Sequence, residues 1–515
     1  MMPTKPPSNK LSLALILCFA LALRLGAFLI FPNYTTHEDP WIYAMVAEQI
    51  LTGQFHISAD SLWFQFRYTL NYPLALAFAI IGKNVWAMAI WPLFAALGEI
   101  WLIYYLGGLL FNPRVGLWAA FLLAGFPFHV EFATFFVPDI IFSLFLGAGM
   151  FLFFKARQEL MQQPDNYEIK APVLTILFKY YLWSGLFIFG AYAVKNVAVL
   201  IFMVIFAILL WDYWNTKRLR LYYLLSPVTA VSCILALFTF YYFKTGDFLL
   251  DLHITQTFCQ NISPHYIFTY LTQMFPLVFS NYVFHEFFGL FFYVAAILGV
   301  ISIIKWEKPV MPLLIWILPL YLYMEFGSMA IDCYRPLYKD PRYLSFIITP
   351  TALLIAYYIE KWHTFESAKP RQIKTVIGAA LAAALFLTSL YCIHSYFKAS
   401  QELTNRHIYE KQQTAEFLQT VPVSGPQKMF YLDWTWRRMF LFFLKYRPEF
   451  SLQHPGDVKD ISQIHNAWVV FDQDIDWSQF NWVNIEPNYQ SLLNNIPRNW
   501  RLIKTFGSSK IYFAT

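Results

Sequence analysis

Asp39 heads the residues of this chain whose types and spacing could do chemistry. It lies in the run His37-Glu38-Asp39-Pro40-Trp41-Ile42-Tyr43, directly after the first hydrophobic stretch. Adjacent carboxylates at the mouth of an apolar helix bundle are costly beside lipid unless they serve a purpose. A carboxylate near the membrane interface can act as a general base towards a hydroxyl. It can equally cap a helix, because Asp39 precedes Pro40 at a first-turn position. Asp139, next to Pro138 at the start of another apolar stretch, can likewise cap a helix. The cations that could receive an anion are Arg67, Lys83, Lys195, Arg335 and Arg342. Arginine suits bidentate contact with phosphate and lysine acts as a point charge. For each of them, snorkelling at the interface is the competing role.

The elements that must position these groups are membrane helices. The 515 residues are 58% hydrophobic and 13% charged, with mean hydropathy +0.46. Soluble chains average about 25% charged. The 53 Phe, 33 Tyr and 18 Trp read as lipid-facing surface, packing and interfacial belts. A net charge of +6 sits in short clusters between apolar stretches, so no nucleic-acid partner is expected. Leu11 to Phe31 is long enough to span and reads as an uncleaved signal anchor.

Hydropathy gives about eleven spans, several of them short for a full crossing. They lie near 11–31, 84–110, 115–128, 138–154, 180–195, 197–214, 224–243, 284–304, 310–329, 345–360 and 375–397. Lys5 and Lys10, Arg114, Lys155 to Lys179, Lys217 to Arg220, Lys305 and Lys308, and Lys361 to Lys374 fall in alternate loops, which assigns those loops to the cytoplasm. The other side then holds 32–83, 129–137, 244–283, 330–344 and the tail from about 398. Arg335 and Arg342 lie on that side, against the charge trend. Segment 74–82 is too short to cross and reads as re-entrant or interfacial. Arg24 and Glu99 fall inside antiparallel spans and are expected to form a structural ion pair.

The tail is polar and mixed. Strands are expected near 429–432, 467–471 and 510–513, with helices at 406–420 and 434–446. The expected organisation is therefore residues 1–397 as a membrane domain, with a working first outside loop at 32–83. Residues 398–515 form a small α/β domain outside the cytoplasm. Cys259 and Cys333 share that side and could pair in an oxidising compartment. His37, His56, His129, His253, His265 and His285 read as ordinary hydrogen-bonded side chains, and no metal or other cofactor is expected. The sequons Asn33-Tyr34-Thr35 and Asn261-Ile262-Ser263 matter only in a eukaryotic secretory membrane, and the compact loops fit a bacterial plasma membrane better.

Spacing along the chain adds a resemblance. Asp39-x-x-x-Tyr43, Arg67, Tyr72-Pro73, Gly107, Phe111-Asn112-Pro113-Arg114, Pro127 and Pro138-Asp139 occur in order. Gly185, Gly190 and Lys195 follow, then Pro341-Arg342-Tyr343-Leu344 and Pro350. This series resembles the polyprenyl-phosphate-sugar glycosyltransferases of the GT-C fold, the protein O-mannosyltransferases and the lipid A aminoarabinose transferase, over residues 11–400. The resemblance implies an all-α polytopic bundle with a polyprenyl-phosphate-linked sugar donor. It also implies a lipid, glycan or protein acceptor with a hydroxyl, and inversion at the anomeric carbon. It makes Asp39 the base and Glu38 the second acid, although Glu38 precedes Asp39 where many relatives carry that acid after it. It assigns Asp139, Tyr43, Arg67, Lys195, Arg335, Arg342 and Tyr343 to substrate, with Arg342 foremost. Two other functions fit a polytopic chain. A transporter or flippase of lipid-linked sugars should show an internal repeat, and none is found. A surface-polysaccharide polymerase or ligase should carry its arginines in one large loop, whereas here the first loop carries acids.

Overall fold

A computed structural model describes residues 10–30, 39–58, 61–162, 171–260, 268, 270, 290–328, 334–337, 339–364, 371–422, 425–431, 437–445, 447, 449–453, 464–472 and 496–515. His37, Glu38, His265, His285, Cys333, both sequons and the side chain of Cys259 lie outside the described residues. The chain forms two units, Met1–Ile30 with Val46–Phe397, and Phe31–Met45 with Lys398–Thr515.

The first unit is an all-α bundle. Its helices are α1 (Lys10–Ile30), the second half of α2 (Asp39–Leu51), α3 (Tyr68–Ile81), α4 (Val85–Leu110), α5 (Pro113–Ala124), α6 (Pro127–Glu131) and α7 (Pro138–Met161). Then come α8 (Ala171–Ile176), which runs through a π-helical stretch (Leu177–Leu182) into α9 (Trp183–Tyr192), α10 (Ile201–Thr216), α11 (Leu225–Thr245) and α12 (Leu250–Gln260). The bundle ends with α13 (Phe291–Ile304), α14 (Met311–Phe326), α15 (Ser345–Thr364) and the first part of α16 (Arg371–Thr420). Among the described residues, nine helical segments are long and apolar enough to cross a membrane.

Two of the eleven expected spans, near 115–128 and 284–304, are not among these nine. The 12 residues of α5 rise only about 18 Å, against a hydrocarbon core of about 30 Å. Gly125 is its C-terminal cap and Pro127, which has no N–H to continue the ladder, follows two residues on, so α5 ends where the hydropathy runs on. The described part of the eighth span is α13, with 14 residues. Segment 74–82 belongs to α3, a 14-residue apolar helix.

Local chemistry sets the turns. Asn112 accepts from the N–H groups of Arg114 at 2.9 Å and Val115 at 3.0 Å, and Pro113 takes the first helical position of α5. This hairpin closes tightly: a Cβ on Gly116 would stand 2.2 Å from the Tyr104 carbonyl oxygen, and one on Gly107 would stand 2.6 Å from Gly116 Cα.

The second unit carries a five-stranded sheet of β1 (Gln427–Tyr431), β2 (Phe450–Gln453), β3 (Ala467–Asp472), β4 (Trp500–Phe506) and β5 (Ser509–Ala514), in the order β2-β1-β3-β5-β4. β2, β1 and β3 run parallel, and β5 and β4 add antiparallel. Side chains alternate between two apolar layers. Phe430, Val469 and Tyr512 face one layer, and Met429, Trp468, Val470 and Ile511 face the other. Ala415 and Leu418 from the end of α16, with Phe440 from α17 (Arg437–Phe443), complete the second layer. The chain is thus an all-α membrane bundle with a small C-terminal α/β region. β1, β3 and β5 lie where strands were expected. β2 and β4 were missed: β2 is only 4 residues long, and β4 is mostly exposed and bulged between Leu502 and Lys504.

Candidate active site

Asp139 and Lys195 meet in an ion pair, 56 residues apart in sequence. Asp139 lies in the first turn of α7 and is fully buried. It does not cap that helix, since Val137 precedes Pro138 as the cap residue. Its carboxylate turns instead to Lys195, which stands in the link between α9 and the 3-10 turn Asn196–Leu200. The ammonium lies 5.0 Å from the centre of the Tyr343 ring. Burial pushes the Lys195 amine below its ordinary range; Asp139 pulls it back up, and the nearby Arg342 charge lowers it further. Asp139 Oδ2 is buried and has no hydrogen-bond partner among the described residues.

Arg342 and Tyr343 sit in a 3-10 turn, Pro341–Leu344, directly before α15. Asp340 caps this turn by accepting from the Arg342 N–H at 2.9 Å. The same carboxylate takes the Arg342 guanidinium through Nε at 3.1 Å and Nη2 at 3.0 Å. Tyr270 clamps the Asp340 backbone, donating to its carbonyl at 2.7 Å and accepting from its N–H at 3.1 Å. Lys339 is buried and donates to the carbonyls of Met324 and Glu325.

A second network adjoins Lys195 through the backbone. Arg67 Nη1 donates to Asn196 Oδ1 at 3.0 Å, and Asn196 Nδ2 donates to Asp251 Oδ2 at 3.0 Å. The Tyr192 hydroxyl reaches the same oxygen at 3.4 Å. Arg67 is 6% exposed, and its Nε has no hydrogen-bond partner among the described residues. Among the described residues no carboxylate pairs with it directly; the Trp63 ring lies 4.9 Å from the guanidinium carbon. Lys83, by contrast, pairs with Glu48 at 3.0 Å. Burial pushes the Asp251 carboxyl up, opposed by the Arg67 charge and by its hydrogen bonds.

Arg24 and Glu99 do not pair directly, which corrects the expected ion pair. His129 stands between them, 2.7 Å from Arg24 Nη2 and 3.1 Å from Glu99 Oε2. Ser143 and Thr349 each donate to Glu99 at 2.6 Å. The chain ties α1, α4, α6, α7 and α15 together and satisfies buried groups that would otherwise be costly.

The expected site residues therefore distribute as follows. Asp139, Lys195, Arg342 and Tyr343 come together, and Arg67 joins them through Asn196. Arg335 lies in the loop before that turn, where its N–H donates to Ser328 Oγ at 3.0 Å. Asp39 opens α2 in the second unit, and Tyr43 on the same helix is fully buried. Neighbouring Trp41 packs against Phe442 and Phe443, with ring centres at 5.1 and 5.6 Å. Sequence reasoning missed Asn196, Asp251 and Asp340. Asp251 interrupts the apolar run Phe248-Leu249-Leu250, which is a readable signal. Asn196 and Asp340 carried none beyond their nearness to Lys195 and Arg342. Among the described residues no three His, Cys, Asp or Glu side chains gather to hold a metal ion.

The fold defines a class: it is that of the GT-C membrane glycosyltransferases, as the sequence resemblance implied. Residues 69–242 match the family model described as dolichyl-phosphate-mannose-protein mannosyltransferase. The chain is similar to ArnT from Cupriavidus metallidurans bound to undecaprenyl phosphate, with TM-score 0.65 and 12% identity over 98% of each chain. The apo state of ArnT gives 0.60 at 11% identity, again over 98% of each chain. The Archaeoglobus fulgidus oligosaccharyltransferase tethered with an acceptor peptide gives 0.57 at 13% identity, over 91% of this chain and 69% of that one. No curated protein matches the chain by sequence.

Proposed function

We propose that this protein transfers a sugar from a polyprenyl-phosphate donor to an acceptor hydroxyl on the extracytoplasmic side of a plasma membrane, with inversion. The observation that carries this reading is a pair of buried polar networks, Asp139 with Lys195 beside Arg342 and Arg67 with Asp251 through Asn196, brought side by side by the adjacent residues Lys195 and Asn196. Of their cations, Arg67 is the one whose guanidinium keeps a buried donor open. A lipid phosphate against Arg67, with Lys195 and Arg342 behind it, would leave as a stabilised anion. This shifts the principal phosphate ligand from Arg342, engaged by Asp340, to Arg67. Arg335 and Tyr343 remain on the substrate side of the cluster in this proposal.

The chemistry balances with the chain's own acids. Asp39, with Glu38 beside it in sequence, takes the acceptor O–H proton. The acceptor oxygen forms a bond to the anomeric carbon. The bond from that carbon to the phosphate oxygen breaks, and its electron pair leaves with the polyprenyl phosphate. Tyr43, one turn on from Asp39 in α2, contributes to substrate binding in this proposal. The prenyl chain has a seat in an apolar groove of about 290 Å³ between α13, α14 and α15, lined by Phe292, Gly299, Leu318, Ile347 and Leu354 among others. Ile347 and Leu354 follow Arg342 along one helical path, about 8 and 18 Å further down.

Asp39→Asn tests the base. In cells lacking the native protein, the variant is expected to restore no transfer while melting in detergent like the wild type. Retained transfer would remove Asp39 from the mechanism.

A further inference from the structure

The proposed reaction gives Asp251 no role, yet its surroundings are built around charge. Asp251, on α12, is 2% exposed. Asn196 relays it to Arg67 with a fixed sense: the amide oxygen accepts from the cation and the amide nitrogen donates to the carboxylate. The phenols of Tyr68 from α3, Tyr192 from α9 and Tyr241 from α11 face the same carboxylate. On its own helix, Thr255 lies one turn on, and His253 is held by Asp247 at 2.8 Å. Arg67 and Asp251 are thus a buried guanidinium and a buried carboxyl joined through a neutral amide.

A phosphate arriving at Arg67 disturbs this balance. Buried charges interact strongly, and an added anion favours the neutral form of a nearby acid. The Arg67 charge is the largest influence opposing the upward push that burial gives the Asp251 carboxyl, and a phosphate on Arg67 offsets that influence. We propose that Asp251 takes up one proton from solvent when the donor phosphate settles on Arg67, and returns it when the lipid phosphate leaves. Only an O–H bond forms and breaks. Asp251 is thus a positioning residue that keeps the occupied site near neutral, and the proposal rests on the donor reading above. Linkage fixes the sign: binding that takes up a proton weakens as pH rises, by about tenfold per pH unit for one full proton.

The test is calorimetric titration of the full-length protein in nanodiscs with undecaprenyl phosphate. It is run across neutral pH in two buffers of different ionisation enthalpy, for wild type and Asp251→Asn. The wild type is expected to take up close to one proton more than the variant. Its Kd should rise about tenfold more per pH unit, and the variant should bind with only the slope of the lipid's own ionisation. Equal slopes, or loss of binding by Asp251→Asn at every pH, would overturn the proposal and leave the donor reading standing. No binding by the wild type would remove both. Should the variant not fold, infrared difference spectra of the wild type replace it. A new protonated-carboxyl band on binding is expected, and its absence overturns the proposal.

Discussion

Arg67 separates this account from one drawn on the family pattern. Arg342 and Lys195 lie against Asp340 and Asp139, whereas Arg67 meets an amide and keeps its Nε open. A charge-assisted hydrogen bond contributes about 1.5–3 kcal/mol. Arg67→Ala is therefore expected to weaken undecaprenyl phosphate binding by roughly ten- to a hundredfold, read in the same nanodisc titration. Unchanged affinity would return the phosphate to Arg342. Asp139 offers a stability test. Breaking a buried pair from one side costs about 3–5 kcal/mol, and replacing both partners with apolar residues costs far less. Asp139→Leu alone should lower the melting temperature sharply, and Asp139→Leu with Lys195→Met should recover most of the loss. Additive losses would show that the two charges do not stabilise each other. Sequence could nominate these residues because charge in an apolar chain is conspicuous. It could not show which charges neutralise one another, since that depends on packing between helices far apart in sequence, as with His129 between Arg24 and Glu99.

Turns govern what can be read at the scale of elements. The α4–α5 hairpin was visible in Asn112-Pro113, because cap and first-turn chemistry is local. Its closeness was not, because Gly107 and Gly116 matter only once the helices face each other. Gly116→Ala puts a methyl on the Tyr104 carbonyl and is expected to cost about 1–3 kcal/mol or more through overpacking, seen as a lower melting temperature in detergent. A neutral result would mean that the hairpin is looser than 2.2 Å implies. In the second unit the β4–β5 turn depends on α16. Gly507 has φ +58°, and Glu410 accepts from the Ser508 N–H at 2.9 Å and hydroxyl at 2.7 Å. Glu410→Ala should loosen this turn and speed amide exchange across β4 and β5, whereas exchange unchanged in both strands would separate the turn from the helix. β2 and β4 escaped the sequence reading because one is very short and the other has little buried face to give a period of two.

The whole molecule is a membrane bundle whose class was readable from composition, whereas its span count was not. Hydropathy does not register that Gly125 and Pro127 stop α5 after 12 residues. The proposed orientation places the Arg67 and Arg342 ends of their helices outside the cytoplasm and Lys217 inside. Cysteines introduced at 217 and 247 should accordingly label from opposite sides of intact cells, and labelling from one side would invert the scheme. The claim on which all of this depends is that a sugar leaves a lipid phosphate at this cluster. The most direct measurement is mass spectrometry of lipids and surface glycoconjugates from cells lacking the protein. An unspent polyprenyl-phosphate sugar is expected to accumulate while one glycoconjugate loses that single sugar. Glycoconjugates unchanged in composition, with no rise in any sugar-bearing polyprenyl phosphate, would contradict that claim.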